Sequence, residues 1–308
     1  MADVFRAFAP AKVNLFLHVG PPRADGRHPL DSFVVFAGPE AADRLEARRG
    51  DRDTLKLDGP QADVLLDEAD NLVLRALSRL RGQARISPDR DTPVAFTLAK
   101  HLPIAAGLGG GSADAAAALR LLTREIFDLP ARVASDLAPQ LGGDVLACVF
   151  NTPTVMRGDG DEVIPLLQGP LLDLFDRQKG GGLPALLVNP GVPCPTGVVF
   201  RDYDQLGPRK LVEVEFPRLR TRAQLYEWLA AETRNDLETP AVSRIAEIGL
   251  LLERLHRLKG EKLVRMSGSG ATCFALFDEM EDALQAQSEL LRERPDWWIR
   301  ATRLGEGA

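Results

Sequence analysis

A glycine-rich turn runs directly into an alanine-rich helix in the segment PIAAGLGGGSADAAAALRLL, which spans Pro103 to Leu122. Gly107 and the three glycines at 109–111 permit positive φ and let a bulky anion approach without meeting a Cβ. We expect Ser112 to cap the helix that follows. The first N–H groups of a helix lack internal partners and lie at the positive end of its dipole, so they attract phosphate. The segment therefore predicts a nucleotide phosphate site.

Two common phosphate-binding loops do not match these residues. A Walker A loop ends in Gly-Lys-Ser/Thr, whereas Gly111 is followed by Ser112 and Ala113. A dinucleotide-binding fingerprint requires a third glycine three residues after Gly109, where Ser112 stands. The remaining alternative is a flexible glycine linker. Four turns of strong helix formers do not normally follow a linker, so the pattern favours a phosphate site of another kind.

Two charged residues and a further glycine cluster are ambiguous when each is taken alone. Lys12, in FAPAKVNLFLHV, lies between a turn and an apolar strand and is equally well a solvated surface charge. Asp144, in LGGDVLACVF, follows two glycines and is equally well a turn or strand cap. The cluster SGSG at 267–270 precedes an apolar strand and alone predicts a tight turn. Only their combination indicates chemistry.

Composition limits the class of protein. At 308 residues the chain exceeds the usual size of one hydrophobic core, so two domains are expected. Its 45% hydrophobic and 27% charged residues are typical of a soluble globular protein, and the net charge of −6 argues against a broad nucleic-acid surface. Cys148, Cys194 and Cys273 form no CxxC pair, which favours a reducing cytoplasm over a disulfide or zinc framework. The early apolar run 13–20 is too short to span a membrane, so we expect no membrane partner.

The pattern of apolar residues predicts an α+β protein with mixed sheets. We expect strands at 5–9, 13–19, 31–36, 54–57, 95–98, 145–150, 185–188 and 272–277. We expect helices at 71–81, 112–127, 131–140, 222–231, 240–258 and 281–292. The segment QGPLLDLFDRQKGGGLP, between Leu166 and Pro184, combines prolines with three consecutive glycines. We therefore predict domains over 1–166 and 167–308.

Taken together, Lys12, Asp144 and the two glycine-rich segments resemble the GHMP kinase superfamily in their order and spacing. Further segments resemble the branch of that superfamily that phosphorylates a cytidine diphosphate-linked methylerythritol in the non-mevalonate isoprenoid pathway. These segments are spread over most of the chain: PAKVNLFLHV, ADGRHPLDSF, DNLVLRAL, GLGGGSADAA, LGGDV, NPGVPCPTGVVF and NDLETPA. The resemblance implies a two-domain GHMP kinase fold, with an N-terminal domain like domain 2 of ribosomal protein S5 and a ferredoxin-like C-terminal domain.

The resemblance also implies residue roles for phosphoryl transfer from ATP. Lys12 and Asp144 match the catalytic pair beside the phosphorylated hydroxyl, where a carboxylate accepts the proton and an ammonium stabilises developing charge. Lys100 matches a lysine near the adenine. The implied ATP-binding residues are Lys100, Pro103, Gly107, Leu108, Gly109, Gly110, Gly111, Ser112, Ala113 and Asp114. Mg²⁺ is expected with the phosphates, although the sequence contains no dedicated ligand cage.

By the same resemblance, the cytidine diphosphate end of the substrate is expected on Asn14, Arg27, His28, Thr196 and Phe200. An aromatic ring suits stacking on a pyrimidine, and an imidazole suits hydrogen bonding to its edge.

Some residues depart from the family pattern. Arg27 stands where a tyrosine is common, and its guanidinium is expected either to stack on the cytosine or to pair with the diphosphate. Ala113 replaces a common second serine, and Leu146 and Ala147 replace a common Pro-Phe pair.

Three functional interpretations remain open at this point. The first is the cytidyl-substrate kinase, and the second is another GHMP kinase that acts on homoserine or a mevalonate-type alcohol. The third is a nucleotide-binding regulator without catalysis, which would tolerate loss of Lys12 or Asp144; both are retained. We expect a cytoplasmic monomer or weak homodimer acting on a small molecule.

Overall fold

A computed structural model describes residues 3–65, 71–176, 180–207, 210–305 and 307. The strands within these ranges are β1 (Phe5–Pro10), β2 (Lys12–Val19), β3 (Leu30–Phe36), β4 (Ala42–Arg49), β5 (Thr54–Asp58), β6 (Val94–Ala99), β7 (Thr154–Gly158), β8 (Glu162–Pro165), β9 (Leu183–Asn189), β10 (Glu261–Met266), β11 (Cys273–Phe277) and β12 (Trp298–Leu304). The helices are α1 (Leu72–Gln83), α2 (Gly110–Leu121), α3 (Arg132–Leu137), α4 (Val145–Phe150), α5 (Pro170–Asp173), α6 (Thr196–Gln205), α7 (Arg222–Glu232), α8 (Glu238–Arg244), α9 (Ala246–Leu255) and α10 (Met280–Glu293).

The strands form three four-stranded sheets, which confirms the α+β class. The first has the order β1-β4-β6-β5 and is mixed, since β5 and β6 run parallel while the other pairs are antiparallel. The second, β2-β3-β7-β8, is antiparallel. The third, β10-β11-β9-β12, is also antiparallel, and its β-α-β-β-α-β connection is the ferredoxin-like arrangement expected for the C-terminal part.

Three apolar cores hold these layers together. One lies under α2, whose alanines 115–118 are fully buried and allow close packing against β1 and β4. Another joins the C-terminal sheet to helices α6 and α8–α10. The third is shared by both sides of the predicted domain boundary, because Phe16 and Phe33 of β2 and β3 pack in the same cluster as Leu187 and Phe274. The boundary at 166/167 stays a prediction.

The structure corrects the predicted strand at 145–150, which is the helix α4. Val145, Ala147 and Cys148 are buried, while Phe150 is exposed. A short run of apolar residues does not distinguish a buried helix from a buried strand, and the α4 segment packs against α2. The strand predicted at 145–150 is therefore wrong.

Other elements differ from expectation for local reasons. The helix predicted over 240–258 is two helices, α8 and α9, separated at Ile245, whose backbone is extended. The sequence patterns did not predict the strand β4, because five charged residues in ADRLEARR obscure the alternating burial of Leu45 and Ala47. The strands β7, β8, β10 and β12 and the helix α6 were also missed.

Candidate active site

The glycine-rich turn and the start of α2, residues 103–114, are called the phosphate segment below. A cavity of about 510 Å³ lies where the phosphate segment, β2, α6 and the loop between β10 and β11 meet. It is lined by Lys12, Asn14, Leu17, Leu30, Asn71, Leu72, Lys100, Pro103, Ile104, Ala105, Ala106, Gly107, Gly109, Gly110, Gly111, Ser112, Asp114, Asp144, Thr196, Phe200, Leu237, Gly268 and Ser269. Elements from both halves of the chain therefore share one concave site, as a two-substrate enzyme requires.

The phosphate segment is built as the glycines predict, with one correction. Gly107 and Gly109 have φ of +74° and +62°, conformations that favour glycine. Gly109, not Ser112, is the N-cap, and no side chain caps the helix. Ser112 is the third residue of α2, because the left-handed turn at Gly109 starts the helix earlier. The first N–H groups of α2 thus stay available to a ligand.

Lys12 and Asp144 meet beside this segment. Lys12 Nζ lies 3.1 Å from an Asp144 carboxylate oxygen, and the two side chains are 6% and 37% exposed. Lys12 comes from the start of β2, where its N–H donates to the Leu108 carbonyl at 2.8 Å, and Asp144 is the N-cap residue of α4. A Cβ on Gly109 would lie 3.2 Å from Lys12 Cε and 3.6 Å from the Asp144 carboxylate. The pair therefore adjoins the phosphate segment directly.

Asn14 holds the lysine in place. Its Oδ1 accepts a hydrogen bond from Lys12 Nζ at 3.0 Å, and its Nδ2 donates to the Ser32 hydroxyl at 2.8 Å. That hydroxyl in turn donates to the Phe16 carbonyl at 2.7 Å. All three side chains are buried, so this chain of hydrogen bonds limits the positions open to the ammonium.

A second lysine lies below the phosphate segment in a sealed cluster. Lys100 Nζ donates to Asp43 and Asp114, at 2.6 Å to Asp114, and all three side chains are at most 5% exposed. Asp43 also accepts the N–H of Leu102 at 2.8 Å. A Cβ on Gly110 would lie 3.6 Å from Lys100 Nζ. The ammonium is thus engaged by carboxylates directly under the loop. No motif in the sequence indicates Asp43 as a residue of this site.

Burial and charge shift the pKa values in this cluster. Burial, together with the neighbouring Asp43 carboxylate, raises the pKa of Asp114 to about 8, against the opposing effect of Lys100. Burial alone would lower the pKa of Lys100, but Asp114 and Asp43 raise it above its usual value. One ammonium shared by two buried carboxylates leaves an excess negative charge, so a proton on Asp114 is favoured at neutral pH.

The predicted substrate residues fall into two groups. Thr196, the first residue of α6, has its hydroxyl 2.8 Å from that of Ser269, and Phe200 lies one turn further along α6; both line the cavity. His28 packs against Phe200, with ring centroids 4.9 Å apart, and its Nε2 lies 2.7 Å from the Asp204 carboxylate. The Arg27 side chain is 72% exposed and lies 3.9 Å from Asp159, and neither Arg27 nor His28 is among the cavity residues.

The remaining predicted nucleotide residues are placed as follows. Pro103, Gly107, Gly109–111, Ser112 and Asp114 line the cavity. Leu108 and Ala113 are each 1% exposed and pack in the cores on either side of it. Neither side chain lines the cavity. The cavity also includes Asn71 and Leu72 at the start of α1, which the sequence analysis assigns to a predicted helix and to the family segment DNLVLRAL but not to the site.

The structure offers few protein ligands for a metal. Within the described ranges there is no group of three or more His, Cys, Asp or Glu side chains that could hold an ion. Asp114 is occupied by Lys100 within the sealed cluster, whereas Ser112 lines the cavity. Mg²⁺ commonly binds through substrate phosphates and water with one or two protein oxygens, and the Ser112 hydroxyl fits that mode. No described helix combines the length and apolar character needed to cross a membrane.

Comparison with known proteins agrees with this geometry. The GHMP kinase N-terminal domain model matches residues 71–152, and the GHMP kinase C-terminal model matches 215–296. Among curated relatives, a 4-diphosphocytidyl-2-C-methyl-D-erythritol kinase from Hyphomonas neptunium is 44% identical over 301 residues, 97% of this chain and 96% of the relative. One of the same name from Caulobacter vibrioides is 43% identical over 305 residues, 97% of this chain and 98% of the relative.

Solved structures give the same result. A crystal structure of 4-(cytidine 5'-diphospho)-2C-methyl-D-erythritol kinase is 30% identical, has a TM-score of 0.73 and aligns over 98% of this chain and 99% of that one. Homoserine kinase from Cytophaga hutchinsonii shares the fold, with a TM-score of 0.61 at 16% identity, and aligns over 100% and 96% of the two chains. From its sequence, its fold and the residues around its cavity, the chain belongs to the GHMP kinases, in the branch of the 4-diphosphocytidyl-2-C-methyl-D-erythritol kinases.

Proposed function

We propose that the protein transfers the γ-phosphate of ATP to the 2-hydroxyl of 4-diphosphocytidyl-2-C-methyl-D-erythritol, a step of the non-mevalonate isoprenoid pathway. The observation that carries this proposal is the contact of Lys12 and Asp144, 3.1 Å apart, beside Gly109 in a cavity shared with Thr196 and Phe200. A phosphate site and an acceptor site therefore border the same charged pair.

Asp144 is the proposed base. It is 37% exposed and faces the cavity, so a substrate hydroxyl can reach it, whereas Lys12 is nearly buried and held by Asn14. In phosphoryl transfer the protein mainly positions the groups and offsets charge. The carboxylate accepts the hydroxyl proton as the oxygen attacks phosphorus, and the ammonium stabilises charge on the transferred group.

The nucleotide is proposed to lie with its phosphates on the N–H groups from Gly107 to Ser112. The open helix N-terminus and the absence of a side-chain cap at Gly109 support this placement. Ser112 is the proposed protein oxygen for Mg²⁺, which when bound would offset phosphate charge. Lys100 supports the loop from below through Asp43 and Asp114, next to the predicted adenine side.

The cytidine diphosphate end is proposed to lie toward α6, on Asn14, Thr196 and Phe200, with His28 behind Phe200. Arg27 is the outermost residue of this proposal, because its guanidinium is largely solvated. We further propose a cytoplasmic enzyme, monomeric or weakly dimeric, with domains over 1–166 and 167–308. The three free, buried cysteines are consistent with a reducing compartment.

The test is consumption of ATP against a panel of alcohols that includes the cytidyl substrate, homoserine and mevalonate. We expect turnover with the cytidyl substrate alone. Turnover with homoserine or mevalonate instead would assign the chain to another GHMP activity. ATP binding without turnover on any alcohol would indicate a nucleotide-binding regulator.

A further inference from the structure

The segment NDLETPA, residues 235–241, connects the catalytic strand to a distant loop. The N–H of Leu17 in β2 donates to the Arg234 carbonyl at 2.9 Å, and the N–H of Asp236 donates to the Leu17 carbonyl at 2.8 Å. Asn235 thereby pairs with β2, the strand that begins at Lys12. The segment is thus attached to the strand that carries the catalytic lysine, although it lies more than 200 residues away in the sequence.

Asn235 is buried, and its side chain holds the loop between β10 and β11, which contains the glycine cluster 267–270. Its Nδ2 donates to the carbonyls of Met266 and Gly268, both at 2.8 Å, and its Oδ1 accepts the N–H of Leu237 at 2.9 Å. Both amide hydrogens are therefore used on the loop. An aspartate of the same shape would place a carboxylate oxygen against two carbonyl oxygens.

These bonds decide which way the loop's peptide groups face. The Gly268 carbonyl is held by Asn235, and the Ser269 carbonyl accepts from the Cys194 thiol at 3.0 Å. In a trans peptide the C=O and the next N–H point in opposite directions, so the Ser269 N–H points away from Asn235. Within the described part of the chain, the N–H groups of Gly268 and Ser269 have no acceptor, and both residues line the cavity.

The loop also bridges the two halves of the site. At one end the Ser267 hydroxyl donates to the Gly107 carbonyl at 3.0 Å and accepts the Asn14 N–H at 3.1 Å. At the other end the Ser269 hydroxyl meets that of Thr196. Adjacent N–H groups with one residue at positive φ, here Gly268 at +57°, form a concavity that binds anionic oxygen. The free N–H groups thus lie between the phosphate segment and the proposed substrate side.

We infer that Asn235 is a positioning residue, which holds the Gly268 carbonyl so that the Ser269 N–H faces the cavity and donates to an oxygen of the substrate's diphosphate. The inference rests on the proposed function, because that function supplies the diphosphate. Asn235 itself touches no substrate. Its effect is on substrate affinity, through the loop.

The first experiment is steady-state kinetics of Asn235→Asp, with Asn189→Asp as the matched control. Asn189 is also buried, and its Oδ1 accepts the N–H two residues on, from Gly191, at 2.8 Å. Its Nδ2, however, donates to the Thr272 hydroxyl, which can turn to donate to a carboxylate instead. We expect KM for the cytidyl substrate to rise about tenfold or more in Asn235→Asp, with the ATP dissociation constant changed less than about threefold. Asn189→Asp should change both by less than about threefold.

Failure of the inference and failure of the proposed function give different results. A lower kcat at unchanged KM, or the same KM change in both variants, would restrict Asn235 to folding and overturn the inference. Absence of wild-type turnover with the cytidyl substrate would instead count against the proposed function.

A second measurement does not depend on how the variant folds. Amide hydrogen exchange of the wild type, with and without cytidine 5'-diphosphate, should show protection of the Ser269 N–H on binding. Unchanged exchange across 267–270 at saturating cytidine 5'-diphosphate would show that the loop does not bind the diphosphate.

Discussion

Two lysine–aspartate sites border the same cavity and differ in their access to solvent. In the Lys12–Asp144 pair the carboxylate is 37% exposed and has room for a ligand. In the Asp43–Lys100–Asp114 cluster the side chains are at most 5% exposed and are occupied by one another. An open pair can exchange a proton with a substrate, whereas a sealed cluster supports the loop above it. The same residue types are thus accessible to a ligand at one site and occupied by one another at the other, according to burial.

The largest expected effect is on the open pair. Asp144→Asn should lower kcat by about 10² to 10⁴, the usual contribution of a positioned general base, with little change in ATP affinity. Rapid-quench turnover and calorimetric ATP titration measure the two quantities. Asp136→Asn is the control, since Asp136 is exposed on α3 away from the cavity. If Asp144→Asn turned over substrate at the wild-type rate, Asp144 would not be the general base, and the Lys12–Asp144 pair would have no catalytic role to contrast with the sealed cluster.

Removing the lysine of the sealed cluster should instead lower the free energy of unfolding. Lys100→Met leaves two buried carboxylates without their cation, a change that costs about 3–5 kcal/mol of stability. Lys12→Met serves as the contrast, because Asp144 can turn to solvent; we expect it to lower activity with much less loss of stability. Denaturant unfolding of both variants checks this. Equal destabilisation would mean that burial does not distinguish the two sites.

The sealed cluster should also make stability depend on pH. Since burial raises the pKa of Asp114 to about 8, the folded state holds a proton there that the unfolded chain loses near pH 4. The stability of the wild type relative to Asp114→Asn should therefore fall between about pH 4 and 8, by at most about 1.4 kcal/mol per pH unit, and level off above. Urea unfolding of both proteins across this range measures it. If the difference in unfolding free energy between the two proteins did not change from pH 4 to 8, Asp114 would be ionised throughout that range.

The smallest effect is expected at Arg27, whose side chain is largely in solvent. Arg27 is 72% exposed and lies 3.9 Å from Asp159, so Arg27→Ala should raise KM for the cytidyl substrate by no more than about fivefold. Arg27→Tyr should restore affinity if the guanidinium stacks on cytosine, and should fail to do so if it pairs with the diphosphate. Kinetics at low and high salt separate the two cases, because screening weakens only the second. A rise in KM well beyond fivefold in Arg27→Ala would place Arg27 inside the substrate site.

Local features of the sequence were sufficient for the phosphate segment. Glycines at 107 and 109 adopt positive φ and an alanine-rich helix follows, as the residue types required. The position of the cap was wrong, because the left-handed turn at Gly109 replaced a side-chain cap at Ser112. The strand predicted at 145–150 was wrong because a short apolar run has no period of its own. Propensity and periodicity act over a few residues and predict only what a few residues decide.

The sequence by itself determined the family, the glycine segment and the identity of the residues at the open pair, since residue types and their spacing carry those features. Only the tertiary structure decided that Lys100 is sealed between Asp43 and Asp114 and that Asn235 holds the Gly268 carbonyl. Lys100 and Asp43 are 57 positions apart in the sequence, and Asn235 and Gly268 are 33 positions apart. Whether a charge faces water or another charge depends on which strands and loops pack together, and packing is a property of the whole chain.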